Sequence, residues 1–205
     1  MDVRKLLTDA RIVPVVVIDD PSHAQPLAES LLRGGINTIE VTLRTDAALQ
    51  SIREIAATVP DIIVGAGSVI SSSQVDEVVD AGARYAVSPG STPEVLSATE
   101  DAGLPFIPGA ITPSESLALL QRGYTVQKFF PAEAAGGVAY LKSVAGPVPG
   151  VKFVPTGGIS ADTAASYLAL DNVFALGGSW ISPAKLLQDG DFDAIEKRAR
   201  EAMAL

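Results

Sequence analysis

The chain contains no cysteine, so disulfide staples, thiol nucleophiles and thiolate metal sites are all excluded. Histidine is almost as scarce. The only one, His23, precedes the first helical stretch and lies away from every expected strand end, and one imidazole without clustered acids makes no metal site. Aromatic residues are 5% of the composition and hydrophobic residues 47%, so the interior has to be built from Val, Ile, Leu and Ala, as in helix-wrapped parallel sheets. Positive charge is also in deficit: 15 Lys and Arg stand against 24 Asp and Glu, a formal net charge of -9 with a pI near 4.5. Such a surface repels polyanions, which argues against nucleic acid and anionic membranes as partners; a small anionic ligand would need a local positive pocket. Long apolar runs are missing, and no window approaches the length of a transmembrane helix. The opening MDVRKLLTDARIV carries an acid at position 2 and no apolar segment before a small-residue cleavage site, so the expectation is a soluble cytoplasmic protein without a signal peptide.

What the chain does contain is an alternation. Short apolar runs at Ile12 to Ile18, Thr38 to Leu43, Ile62 to Ala66, Arg84 to Ser88, Pro105 to Pro108, Thr125 to Phe130, Val151 to Pro155 and Val173 to Leu176 read as strands. Between them lie segments such as HAQPLAESLLRGG, SQVDEVVDAG and TPSESLALLQRG, apolar at three-four spacing and closed by glycine. The unit recurs roughly every 20 to 26 residues, the length of a compact βα repeat. Eight such units close a (β/α)8 TIM barrel, and 205 residues without a linker or low-complexity tract predict a single domain. The competing architecture is an open doubly wound sheet. It would usually show a glycine-rich fingerprint after its first strand, where this chain has Asp19, Asp20 and Pro21.

In a barrel, chemistry sits where strands end and βα loops begin. The sixth strand, within TVQKFFPAE, draws attention first. Thr125, Val126, Phe129 and Phe130 suit a strand buried on both faces, yet Lys128 stands among them. A buried lysine must be paired, lose its proton or have a function, and a neutral lysine amine attacks carbonyls to form Schiff bases. The plainer alternative is an edge lysine whose ammonium snorkels to water. The second strand reads TIEVTLRT. Ile39, Val41 and Leu43 share one parity and suit the helix interface; Thr38, Glu40, Thr42 and Arg44 share the other and point inward, with Arg44 nearer the mouth. Lys128, with Val126 and Phe130 on its parity, can face the same interior as Glu40. A structural salt bridge from Glu40 to Arg44 or Lys128 is the alternative for that carboxylate. If all three ionise, they leave one positive charge in the mouth of an acidic molecule, which suits a small carboxylate: Arg44 to grip it, Lys128 to attack an adjacent ketone and Glu40 to move protons.

The third strand places Ser68 after two glycines, able to offer its hydroxyl to the mouth or to cap the following helix, a task open to Ser71 to Ser73 as well. The fourth strand ends in Ser88, Pro89 and Gly90, and the fifth in PGAITP, loop-shaping sequences by composition. PTGGIS follows the seventh strand and LGGSW the eighth, where barrels commonly bind phosphate through backbone N–H groups, so Gly157, Gly158, Gly178 and Ser179 are the phosphate candidates. Lys152, at the start of its strand, belongs to the barrel floor, and DFDAIEKRAREAMA is an amphipathic last helix.

Taken in order, EVTLRT, VGAGSV, SPG, KFFPAE, PTGGIS and GGSW resemble the 2-keto-3-deoxy-6-phosphogluconate (KDPG) aldolases of the class I family that also includes the 4-hydroxy-2-oxoglutarate (KHG) aldolases, from the first strand to the final helix. The resemblance implies a (β/α)8 barrel, usually a homotrimer, acting without metal or other cofactor on a phosphorylated 2-keto acid and releasing pyruvate and glyceraldehyde 3-phosphate. It implies Lys128 as the Schiff-base lysine, Glu40 as general acid/base and Arg44 as the pyruvate-carboxylate binder. Ser68 takes a position where the family generally has threonine. Pro89 and Phe130 join the substrate contacts, and Thr156 lies beside the aldehyde portion and tilts the expectation toward the gluconate substrate. Two readings from other classes remain: a phosphate-sugar isomerase or epimerase using Glu40 as base, and an idle phosphate-binding barrel in which Glu40 and Lys128 are a structural pair.

Overall fold

The computed structural model describes residues 3–8 and 10–205; the acid at position 2 lies outside them. Among the described residues eight strands run β1 (Ile12–Val16), β2 (Thr38–Thr42), β3 (Ile63–Gly67), β4 (Tyr85–Val87), β5 (Phe106–Ile107), β6 (Val126–Phe129), β7 (Lys152–Pro155) and β8 (Leu176–Gly178). The helices are α1 (Val3–Leu6), α2 (Ala24–Arg33), α3 (Ala48–Thr58), α4 (Ser72–Asp80), α5 (Pro93–Asp101), α6 (Pro113–Gln121), α7 (Gly137–Ala145), α8 (Ala161–Leu168), α9 (Ala184–Gln188) and α10 (Phe192–Met203).

All strand pairs are parallel, and each strand neighbours the next in sequence. One ladder runs β5-β4-β3-β2-β1-β8 and a second joins β6 to β7. Single bridges close the ring: Gly109 pairs with Lys128 between the β5 end and β6, and Phe153 with Val173 and Thr156 with Gly177 between β7 and β8. The result is the (β/α)8 barrel, a sheet without edges.

Two apolar layers follow from strand parity. Outside, Ile39 and Val41 pack with Leu27 and Leu31 of α2 and Ile52 and Ile55 of α3. Inside and toward the floor, Val13, Tyr85, Val87, Ile107, Val126, Val154 and Ala175 meet Val3 and Leu7. Helix α1 thus plugs the N-terminal end of the barrel, and Arg4 Nη2 donates to Thr125 O at 3.2 Å just before β6 begins. Lys152 donates to the carbonyl of Asp171 at this same end, as its position at a strand start implied.

Two local differences have physical reasons. β8 begins at Leu176 rather than Val173, because the ladder to β1 pairs Ile12 with Leu176, Val13 with Gly177 and Pro14 with Gly178. The second glycine pair therefore lies inside the strand, not beyond it. Gln127 is buried on the outer face of β6, where its amide donates to the carbonyls of Ser116 and Tyr124 at 3.0 and 2.9 Å and so ties the strand to α6 and the turn after it.

Candidate active site

At the C-terminal mouth, Lys128 and Glu40 reach into the barrel from β6 and β2. Lys128 Nζ donates to Glu40 Oε1 at 3.0 Å, and the residues are 5% and 1% exposed. Parity predicted that both side chains would face inward; only closure of the ring could bring strands 88 residues apart to contact. Lys128 is therefore not a snorkelling edge lysine. A buried ammonium is kept by its partner, and below the pair the barrel is filled with aliphatic side chains and Tyr85. Phe130 flanks the pair, with Lys128 Nζ 5.6 Å from its ring centroid.

Tyr85 is the polar group that sequence reasoning missed. Its hydroxyl donates to Ile39 O at 3.2 Å and lies 3.0 Å from Thr38 Oγ1. Burial first, and the Glu40 carboxylate second, push its pKa far above the ordinary tyrosine value, against the opposing hydrogen bond of Thr38. The phenol consequently stays protonated beneath the carboxylate. The ring fits because β3 has glycine opposite it: a Cβ on Gly65 would come within 2.3 Å of Tyr85 Cζ. Gly65 and Gly67 share a parity, a signal in the sequence GAG that two inward-facing positions were left empty for neighbours. Gly177 does the same on β8, where a Cβ would stand 2.1 Å from Thr156 Oγ1.

Arg44 is exposed just past β2 and turns to Ser68 rather than Glu40, with Nε 3.4 Å from Oγ. Ser68 has φ +60°, a left-handed conformation uncommon for residues other than glycine, and residues held so often mark functional sites. It does not cap the helix that follows. That role falls to Ser71, whose Oγ accepts from Gln74 N at 3.3 Å.

Thr156 ends the inward row of β7, is 6% exposed and donates to Val154 O at 3.3 Å. The loop after it carries Gly157 and Gly158 at φ +100° and +81°, conformations suited to glycine, and leads to α8. A Cβ on Gly157 would stand 3.2 Å from the Phe130 ring, so this loop abuts the lysine strand. Gly178 is buried at the end of β8 with its outer face against Trp180, and Ser179 follows it, exposed. Pro89 is exposed on the loop after β4, its carbonyl facing Gly109. His23 meets Phe192 edge to face at 5.9 Å, a packing role. Among the described residues no group of three or more His, Asp or Glu could hold a metal ion, and no helix is long and apolar enough to cross a membrane.

A (β/α)8 barrel with a buried lysine and carboxylate in contact at its C-terminal mouth defines a protein of the kind that can hold a carbonyl substrate covalently and move protons beside it. The family model described as "Aldolase: KDPG and KHG aldolase" matches residues 3–198. The KHG/KDPG aldolase of Escherichia coli (strain K12) is 48% identical over 198 residues, 97% of this chain and 93% of that protein. The KDPG aldolase from Legionella pneumophila, solved with pyruvate captured at low pH as a covalent carbinolamine intermediate, superimposes with a TM-score of 0.92 at 44% identity and 94% coverage of each chain. That of Zymomonas mobilis ZM4, solved with 3-phosphoglycerate, gives 0.92 at 38% identity, covering 99% of this chain and 95% of that one. The chain belongs to the KDPG and KHG aldolase family, which makes it a carbon–carbon lyase.

Proposed function

We propose that this chain is a class I aldolase that cleaves 2-dehydro-3-deoxy-6-phosphogluconate to pyruvate and D-glyceraldehyde 3-phosphate through a Schiff base on Lys128. The observation that carries the reading is the 3.0 Å contact between Lys128 Nζ and Glu40 Oε1 in a buried barrel mouth. Glu40 accepts a proton from the ammonium, and the freed amine attacks the C2 ketone. Glu40 gives that proton to the carbinolamine hydroxyl, which leaves as water to form an iminium, and the iminium withdraws electrons from the C3–C4 bond. Glu40, through a water, takes the C4 hydroxyl proton as that bond breaks and the aldehyde leaves. It then returns a proton to C3 of the enamine, and hydrolysis releases pyruvate and regenerates the amine.

The substrate contacts follow the strand ends. Arg44 grips the carboxylate with a fork of donors, aided by Ser68, to which it is already bonded. Phe130 and Pro89 line the mouth, and Thr156 stands beside the aldehyde half. Backbone N–H groups of Gly157, Gly158, Gly178 and Ser179 receive the phosphate. Residues 1–205 act as one catalytic domain, as a homotrimer in the cytoplasm. The ring that no linker interrupts supports the single domain, and the family resemblance supports the trimer.

Cleavage of 4-hydroxy-2-oxoglutarate to pyruvate and glyoxylate is the second reading; the same lysine chemistry favours it, while the glycine loops favour the phosphorylated substrate. Competition between the two substrates separates them. The lyase reading itself is tested by borohydride reduction in the presence of pyruvate, followed by intact-mass measurement on the native chain and on Lys128→Ala. A pyruvyl adduct on the native chain alone is expected. No adduct on either overturns the reading in favour of an isomerase or an idle barrel.

A further inference from the structure

We propose that Gly67 is a positioning residue for the reaction: the side chain missing at the end of β3 leaves a notch in which the Glu40 carboxylate rests, and the notch holds that carboxylate against Lys128. The proposal rests on the reading of Glu40 as proton carrier and deepens it. A Cβ on Gly67 would stand 2.2 Å from Glu40 Oε1, 2.7 Å from Cγ and 2.8 Å from Cδ. Oε1 is the oxygen that accepts from Lys128 Nζ. Carbon meets its neighbours comfortably at about 3.5–4.0 Å, so any side chain at 67 drives the carboxylate more than about 1 Å from its seat.

Backbone conformation does not select this glycine. Gly157 and Gly158 lie at positive φ, whereas Gly67 does not. Close approach is the remaining reason. Nor can β3 draw back to make room, because Gly67 is in register with Thr42 and its carbonyl accepts from Leu43 N at 2.8 Å. The displaced carboxylate would have to move within a site where it is 1% exposed and where β1 lies alongside, Val15 pairing with Glu40. Misplacing a catalytic group by about 1 Å can cost on the order of 100-fold in rate.

The test measures exchange of the pyruvate methyl protons for deuterium by NMR, a step that needs both the imine and a working base. Circular dichroism follows the fold, and borohydride trapping follows the imine. Gly67→Ala is expected to lower exchange about 100-fold while still trapping pyruvate on Lys128 at saturating concentration. Glu40→Ala removes every atom that the added Cβ would meet. It is expected to abolish exchange in either background, while Gly67→Ala costs less stability when added to Glu40→Ala than when added to the native chain, a coupling that a general loss of packing does not produce. If Gly67→Ala fails to fold and Gly67→Ala/Glu40→Ala folds, the clash is with the Glu40 side chain and the proposal stands. Failure of both to fold overturns it, as does exchange by Gly67→Ala within about threefold of the native chain, a change of under about 1 kcal/mol in the barrier. Glu40→Gln is the control for the underlying reading. If it exchanges at the native rate, Glu40 is not the base; if it is inactive and Gly67→Ala is not, only the notch is refuted.

Discussion

Removing one member of the Lys128–Glu40 pair should harm the fold more than removing both. At 3.0 Å and an effective dielectric of about 20, the gross attraction between the two charges is about 5.5 kcal/mol, most of it offset by the cost of taking both from water. Lys128→Met leaves a carboxylate at 1% exposure with no cation beside it, and Glu40→Met strands an ammonium at 5%. Each single substitution is expected to cost about 3–5 kcal/mol, the penalty of an uncompensated buried charge. Lys128→Met/Glu40→Met puts two apolar chains of similar length on an apolar barrel interior and should lie near the native stability or above it by about 1–4 kcal/mol. For a chain of 205 residues each kcal/mol moves the Tm by about 2–4 °C, so the singles should fall by roughly 6–20 °C and the double should recover. Urea unfolding followed by circular dichroism, at one protein concentration throughout, measures all four corners of the cycle. All three variants should be inactive, so a stable double variant would locate the cost of function in this pair. Singles within about 1 kcal/mol of the native chain, with an additive double, would refute the reasoning, because a pair that weak is solvated in the manner of a surface ion pair.

Ser68→Gly should stabilise the fold by up to about 1 kcal/mol, since glycine tolerates the φ of +60° that serine holds under strain, yet it removes the hydroxyl bonded to Arg44. A higher Tm together with a higher KM for pyruvate in the exchange assay is expected; an unchanged KM would separate Ser68 from carboxylate binding. Acid should weaken the fold through Glu100, Glu115 and Glu196. Arg122 foremost holds Glu100 below the ordinary carboxylate range, and Arg33 does so for Glu196. For Glu115, burial works upward but is outweighed by hydrogen bonds from Ile111 N, Thr112 N and Thr112 Oγ1. A depressed folded pKa gives stability that is full above the unfolded value of about 4.3 and is lost as pH falls through the lower folded value. Glu115→Gln, which keeps an acceptor oxygen for the capping box of α6 but removes the titrating charge, should therefore lower Tm modestly at neutral pH and flatten its fall between about pH 5 and 3; a parallel downward shift at every pH would exclude the linkage.

Much of this molecule was legible before its fold. Parity along TIEVTLRT sent Glu40 inward and Ile39 and Val41 outward, because a strand offers alternate side chains to opposite faces whatever its neighbours are. The eight βα units implied a barrel for the same local reason, and the position of Lys128 in an apolar strand marked it as a residue needing a partner. The partner's identity was not local. Arg44 and Lys128 were equally available to Glu40 in sequence, and only ring closure through the Gly109–Lys128 bridge decided for the lysine and left Arg44 to Ser68.

The extent of β8 was misplaced by the sequence reading of Val173 to Leu176, because glycine carries little strand propensity and Gly177 and Gly178 joined the ladder only through register with β1. Most hidden were the vacancies. A glycine in sequence states only that no side chain is present; whether that serves a turn, as at Gly157, or the approach of a neighbour, as at Gly65, Gly67 and Gly177, depends on what the adjacent strand places opposite it. The chain by itself determined which residues could do the chemistry, since charge, parity and strand position are local properties. Their distances, partners and the space they occupy were decided by the tertiary structure, because those belong to pairs of strands that only the closed barrel brings together.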